Sequence, residues 1–170
     1  MNEYENRNLS AKFHELACRY AEIAQEVLPN RLTSIALYGS VTRGEAHSTS
    51  DIDLFVVLKD APQGMLHRRA LLEPVREKLT PELETLWKQG IYVDFVEVIR
   101  SEAEARHFYP LYLDMAVDVE LLYDRDGFLE SVLQQVRERL EALGARRQKV
   151  GGVQYWDLKP NLKLGEAIEL

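Results

Sequence analysis

Strands and amphipathic helices alternate along these 170 residues, which predicts a single α/β domain. Three observations carry that expectation. Short runs are rich in β-branched and aromatic residues, and apolar residues recur at three- and four-residue steps between them. A turn-rich segment, LYGSVTRGEAHSTSDIDLFVVL from Leu37 to Leu58, joins two such runs.

The elements follow in order. Phe13, Leu16, Ala17, Tyr20, Ile23, Ala24, Val27 and Leu28 predict a helix from Ser10 to Leu28, with Ser10 as its N-cap and Pro29 as its stop. Arg31 to Tyr38 is a strand that ends at Gly39. Ser40 to Glu45 reads as one or two helical turns, Ala46 to Ser50 as a polar loop, and Asp51 to Leu58 as a second strand. Gly64 to Gly90 is helical, with a kink or break at Pro74 and a restart at Thr80-Pro81. Ile91 to Ile99 is a third strand. Ser101 and Glu104 make a capping-box pattern, and Pro110 opens a segment towards Ala116. Asp118 to Tyr123 is a fourth strand, closed by the turn Asp124-Arg125-Asp126-Gly127. Phe128, Val132, Val136 and Leu140, with Leu129, Leu133 and Leu143, mark a last amphipathic helix ending at Gly144. The remaining tail has no regular pattern.

Composition narrows the function classes. Hydrophobic residues are 46% and charged residues 29% of the chain, the profile of an ordinary globular domain. A formal charge of −7 argues against broad nucleic-acid binding, which needs a basic face to displace counterions. Cys18 is alone, so it forms no internal disulfide and reads as a small apolar helix residue. The N-terminus lacks the basic start and apolar core of a signal peptide, and no apolar run reaches the roughly 18 residues of a membrane span. A cytoplasmic location is expected.

The chemistry concentrates between Gly39 and Asp53. On a strand, Asp51 and Asp53 share a face with Cα atoms about 7 Å apart, so their carboxylates can converge on one hard cation or two. Mg²⁺ suits such a pair because it takes oxygen ligands, keeps waters and bridges to phosphates. Gly39 lets the backbone approach a phosphate, the expected helix at Ser40 aims N–H groups there, and Ser40 adds a hydroxyl. A triphosphate held this way exposes its α phosphorus to in-line attack by an acceptor hydroxyl. A third carboxylate is needed to orient metal and accept a proton. Asp94, mid-strand among apolar residues, is the first choice, and Glu97 on the opposite face is the alternative. Arg43 is placed to meet a phosphate or to cap the short helix.

Other residues invite weaker readings. His47 reads as a solvated loop histidine, and His14, His67 and His107 have no metal-site spacing. His67, Arg68 and Arg69 read as a solvated helix face. Tyr155 and Trp156 fit packing of the tail on the domain better than stacking on a base.

At Gly39-Ser40, ten residues, then Asp51-x-Asp53, with Arg43-Gly44 before the loop and Asp94 on a later strand, the chain resembles the nucleotidyltransferase superfamily of the DNA polymerase β type, and especially its small MNT-type members. The resemblance spans approximately Leu16 to Tyr123. It implies a mixed β-sheet of about four strands flanked by helices, with a nucleotidyltransferase domain at 1–125. Residues 126–170 would extend it as a C-terminal helix and tail. It also implies Asp51, Asp53 and Asp94 as catalytic and metal-binding residues, Gly39, Ser40 and Arg43 at the nucleotide, and Mg²⁺ and ATP or another nucleoside triphosphate as partners. Small members often pair with HEPN ribonuclease toxins and adenylylate them, so a toxin partner is expected, and a homodimer is the other association considered. The expected function is transfer of a nucleoside monophosphate, AMP from ATP, to a hydroxyl acceptor. The alternatives are an antibiotic-type transferase with a small-molecule acceptor and a non-catalytic module that binds nucleotide or neutralises a toxin.

Overall fold

A computed structural model describes residues 3–151 and 153–162. Its elements are α1 (Glu3–Val27), β1 (Leu32–Tyr38), β2 (Ile52–Leu58), α2 (Met65–Lys88), β3 (Phe95–Ser101), α3 (Glu102–Ala105), α4 (Tyr112–Met115), β4 (Val119–Asp124), a 3₁₀ turn (Arg125–Gly127), α5 (Phe128–Leu143), β5 (Arg146–Val150) and β6 (Val153–Asp157). The first four strands form a sheet in the order β3-β2-β1-β4. β1 runs antiparallel to both β2 and β4, whereas β2 and β3 are parallel. The sheet is therefore mixed and flanked by helices on both faces.

Alternation along the two central strands divides the core. Ile35, Leu37, Ile52, Leu54, Val56 and Leu58 pack under α1 and α2 with Phe13, Tyr20, Leu72 and Leu79. Ala36, Phe55 and Val57 face the other way and pack with Tyr112, Met115, Leu129 and Leu133 of α4 and α5. Both faces of the central strands are covered, which explains why β1 and β2 read as near-continuous apolar runs. The antiparallel and parallel directions together bring the end of β1 and the starts of β2, β3 and β4 to one end of the sheet.

Several expectations change. α2 runs unbroken through Pro74 and Pro81, with no N-cap at Thr80. Both prolines are exposed, where water can take up the carbonyls that each leaves without a helical donor. The opposite stripe, Leu72, Val75, Leu79, Leu83 and Leu86, is buried and holds the helix in register. α1 begins well before Ser10, which is a buried interior residue and not a cap. Arg68 does not lie on a solvated face: it is buried and paired with Glu104 at 2.7 Å. The capping box of Ser101 and Glu104 is present. The tail forms a β5–β6 hairpin, docked by Arg147 on Asp118 and by the Trp156 indole N–H on Asp114 Oδ1 at 3.4 Å. Residues 163–170 of the expected tail lie outside the described residues. Among the described residues, no helix is long and apolar enough to cross a membrane.

Candidate active site

β1 ends at Gly39, whose φ of +83° is open to glycine and strained for other residues. The chain then turns through residues 39–44 without forming a helix. Thr42 Oγ1 donates to the Gly39 carbonyl at 2.9 Å, Gly44 N–H to Val41 O at 3.1 Å and Glu45 N–H to Ser40 O at 2.9 Å. A second left-handed glycine, Gly44 at φ +69°, ends the segment too soon for a helix to propagate. The expected helix N-terminus at Ser40 is thus replaced by a turn. Its N–H groups from Ser40 to Arg43 find no acceptor among the described residues, and unpaired backbone donors in a turn suit an anion.

Across the ladder, Tyr38 pairs with Asp53. A Cβ built on Gly39 would lie 2.5 Å from Asp53 Oδ2, so the turn and the carboxylate touch only because residue 39 has no side chain. Asp53 is half-buried, and Asp51 is exposed just ahead of β2. Burial raises the Asp53 pKa above the ordinary carboxylate value, the charge of Asp51 raises it further, and Arg43 pulls it back. Tyr38, beside them, is pushed up to about 12, first by burial and then by Asp53 and Tyr109.

The loop that delivers Asp51 is pinned from two sides. The Ala46 N–H donates to the buried Ser10 hydroxyl at 3.1 Å, and the Tyr92 N–H donates to Ser48 O at 2.7 Å. Ser10 thus serves the site loop from the middle of α1. His47 is occupied locally, with Nδ1 3.1 Å from Thr49 Oγ1.

Asp94 stands one residue before β3. Its carbonyl accepts the Ile52 N–H at 2.8 Å, which extends the β2–β3 pairing and sets its backbone beside that of Asp51. Its carboxylate is engaged elsewhere: Oδ1 accepts from Arg76 Nη2 at 2.8 Å and from the Phe95 N–H at 2.7 Å. Among the described residues, no three histidine, cysteine or acidic side chains are gathered closely enough to hold a metal ion, so Asp94 does not converge with Asp51 and Asp53. Glu97 is ruled out as the third carboxylate. Its side chain is 3% exposed on the α1–α2 side, where it accepts from Tyr20 Oη at 3.1 Å and from Arg76. Arg43 donates from Nε to Glu45 at 2.8 Å while its charge acts on Asp53.

Asp53, whose ionisation the nearby Asp51 opposes, forms with Asp51 and the adjoining turn of free backbone donors a donor set that fits Mg²⁺ and phosphate oxygens. Beside Asp94, a cleft of about 480 Å³ opens at the β3 edge, lined by Arg69, Glu73, Arg76, Asp94 and Val96 among others. Sequence reasoning missed Arg76. It is one of several basic residues on α2, and nothing in its spacing marks it; only the pairing of β3 beside the helix shows its role.

The family described as "Nucleotidyltransferase domain" matches residues 17–118, well over half of the chain. The "Putative protein adenylyltransferase MJ1305" of Methanocaldococcus jannaschii is 29% identical over 106 residues, covering 62% of this chain and 68% of that protein. A toxin–antitoxin crystal structure with AMP-PNP is 20% identical with a TM-score of 0.43, covering 74% of this chain and 92% of that one. A MntA–HepT toxin–antitoxin structure is 14% identical with a TM-score of 0.41, covering 74% and 91%.

Proposed function

The chain belongs to the nucleotidyltransferase family, and from that premise we propose that it transfers AMP from ATP to a hydroxyl on a partner protein, in a reaction that depends on Mg²⁺. The observation that carries this reading is the contact between Gly39 and Asp53, which joins a turn of free backbone donors to a carboxylate pair. The similarity to a relative named as a protein adenylyltransferase supports the choice of nucleotide and of a protein acceptor.

Residues 40–43 hold the β and γ phosphates through their free N–H groups, with the Ser40 hydroxyl and Arg43 as further donors. Asp51 and Asp53 would hold Mg²⁺, and Asp94, held by Arg76, stands nearby as the third carboxylate of the proposal. When bound there, Mg²⁺ would supply charge neutralisation to the triphosphate. The acceptor hydroxyl enters from the cleft beside Asp94, which takes its proton as the oxygen attacks the α phosphorus. The new P–O bond forms in line as the bond to pyrophosphate breaks.

The partner we propose is a toxin of the HEPN type encoded beside this chain, as expected of a small family member. The test is incubation of the purified protein with Mg²⁺, each α-labelled nucleoside triphosphate in turn, and the product of the neighbouring gene. Label from ATP on that protein is expected. Transfer from no nucleotide to any protein would refute the proposal, and label on an aminoglycoside alone would favour a small-molecule acceptor.

A further inference from the structure

Resting on the nucleotide reading above, we infer that Tyr109 and Tyr38 form the nucleoside subsite, with the Tyr109 ring as platform for the base and the Tyr38 hydroxyl as donor to the sugar. The strand registers line up one row of side chains across the sheet. Val119 pairs with Tyr38, Tyr38 with Asp53, and Asp53 with Val96. Alternation sets this row on the same face as Ala36 and Phe55, which α4 and α5 bury. The row lies one step nearer the Gly39 turn, and its cover is incomplete: Val96 is 39% exposed, and Tyr38 and Val119 are half-buried. An apolar floor that contains Asp53 is thus open beside the turn.

Tyr109 borders this floor. Asp53 and Tyr109 both act electrostatically on the Tyr38 phenol, which sets the three groups together. The Tyr109 ring is held from two sides, with the Arg100 guanidinium 4.8 Å from its centroid and the Tyr112 ring edge-on at 6.3 Å and 73°. It is still 37% exposed. A ring fixed in this way loses little further freedom when a second aromatic stacks on it. Neither the Tyr38 nor the Tyr109 hydroxyl makes a hydrogen bond among the described residues. A half-buried hydroxyl without a protein partner is a ready donor to a ligand that brings its own acceptors. With the β and γ phosphates on the turn and the α phosphate at the carboxylates, the sugar and base continue from Asp53, where the floor lies. Every base has a face that stacks on an aromatic ring, whereas phosphates gain nothing from such a floor.

The experiment is isothermal titration calorimetry of the full chain with ATP and, separately, with inorganic tripolyphosphate, both with Mg²⁺. The two ligands share the phosphates and differ in the nucleoside. Tyr109→Leu is expected to weaken ATP binding about 5- to 150-fold and to leave tripolyphosphate unchanged, while Tyr109→Phe, which keeps the ring, stays near wild type. Tyr38→Phe is expected to weaken ATP alone, about 2- to 10-fold. Equal effects on both ligands, or no effect on ATP, would overturn the subsite. So would a Tyr109→Leu variant that keeps its ATP affinity but transfers more slowly to the partner, because the floor would then belong to the acceptor. Should Tyr109→Leu unfold, photolabelling of the wild type with 8-azido-ATP, whose reactive group is on the base, decides the matter. Label at Tyr109 that excess ATP removes is expected, and label confined to other segments counts against the subsite. Wild-type protein that binds neither ligand would instead sink the nucleotide reading itself.

Discussion

Gly39 and Asp53 touch across the β1–β2 ladder, with Asp53 Oδ2 occupying the space that a side chain at position 39 would need. Gly39→Ala therefore adds a clash to the strain of a left-handed φ, which alone costs about 1–2 kcal/mol. Gly44→Ala carries the same kind of strain with nothing within 4 Å of its new Cβ. Both variants are expected to lower the melting temperature, but only Gly39→Ala is expected to weaken Mn²⁺ binding as well. Paired thermal melts and metal titrations distinguish the two.

A divalent cation bound at the carboxylate pair, as proposed, would stabilise the fold. Burial and the Asp51 charge both oppose ionisation of Asp53, and a bound cation relieves that opposition. Mg²⁺ at about 100 times its dissociation constant is expected to add about 2.7 kcal/mol to the unfolding free energy. Differential scanning fluorimetry across a Mg²⁺ series should show the rise in wild type and none after Asp51→Asn with Asp53→Asn.

Arg68 and Glu104 give the fold a defined acid limb. The Arg68 guanidinium, together with the Ser101 backbone, holds the Glu104 carboxyl down to about 2. A group whose folded pKa is depressed adds stability above its unfolded value, near 4.5 here, and loses it as the pH falls towards 2. Glu104→Gln is expected to be less stable than wild type at neutral pH, and the gap should close between pH 4.5 and 2. Urea unfolding at several pH values measures this.

Two carbonyls of the β3 edge are capped by side chains of α2. The outward carbonyls of Phe95 and Ile99 accept from Arg76 and Arg68, two residues spaced two helical turns apart. Such capping keeps a free strand edge from pairing with another chain. Arg68→Ala is expected to raise concentration-dependent self-association, read by sedimentation velocity; an unchanged monomer would show that the edge is protected by other means.

Local signals account for what was legible beforehand. The four sheet strands and the last helix follow from β-branched runs and apolar periodicity, and the capping box from two residues three apart. Asp51 and Asp53 stand out by spacing, and the structure sets Asp53 beside Gly39. What escaped depends on packing or on partners distant in sequence. The residues after Gly39 tolerate helix, yet two left-handed glycines cut it short. Pro74 and Pro81 looked like breaks, but the buried stripe opposite them outweighs two missing donors. Ser10 resembles a cap in sequence, while its true partner, the Ala46 N–H, lies 36 residues away. Arg76 and Glu97 meet only once α2 lies beside β3.

The central claim is that this turn and these carboxylates perform nucleotidyl transfer. Its most direct test is pyrophosphate release from ATP and Mg²⁺ in the presence of the neighbouring gene's product, comparing wild type with Asp51→Asn plus Asp53→Asn. Release that matches AMP incorporated into the partner, and falls to background in the double variant, is the expected result. Equal incorporation by the double variant would contradict the account.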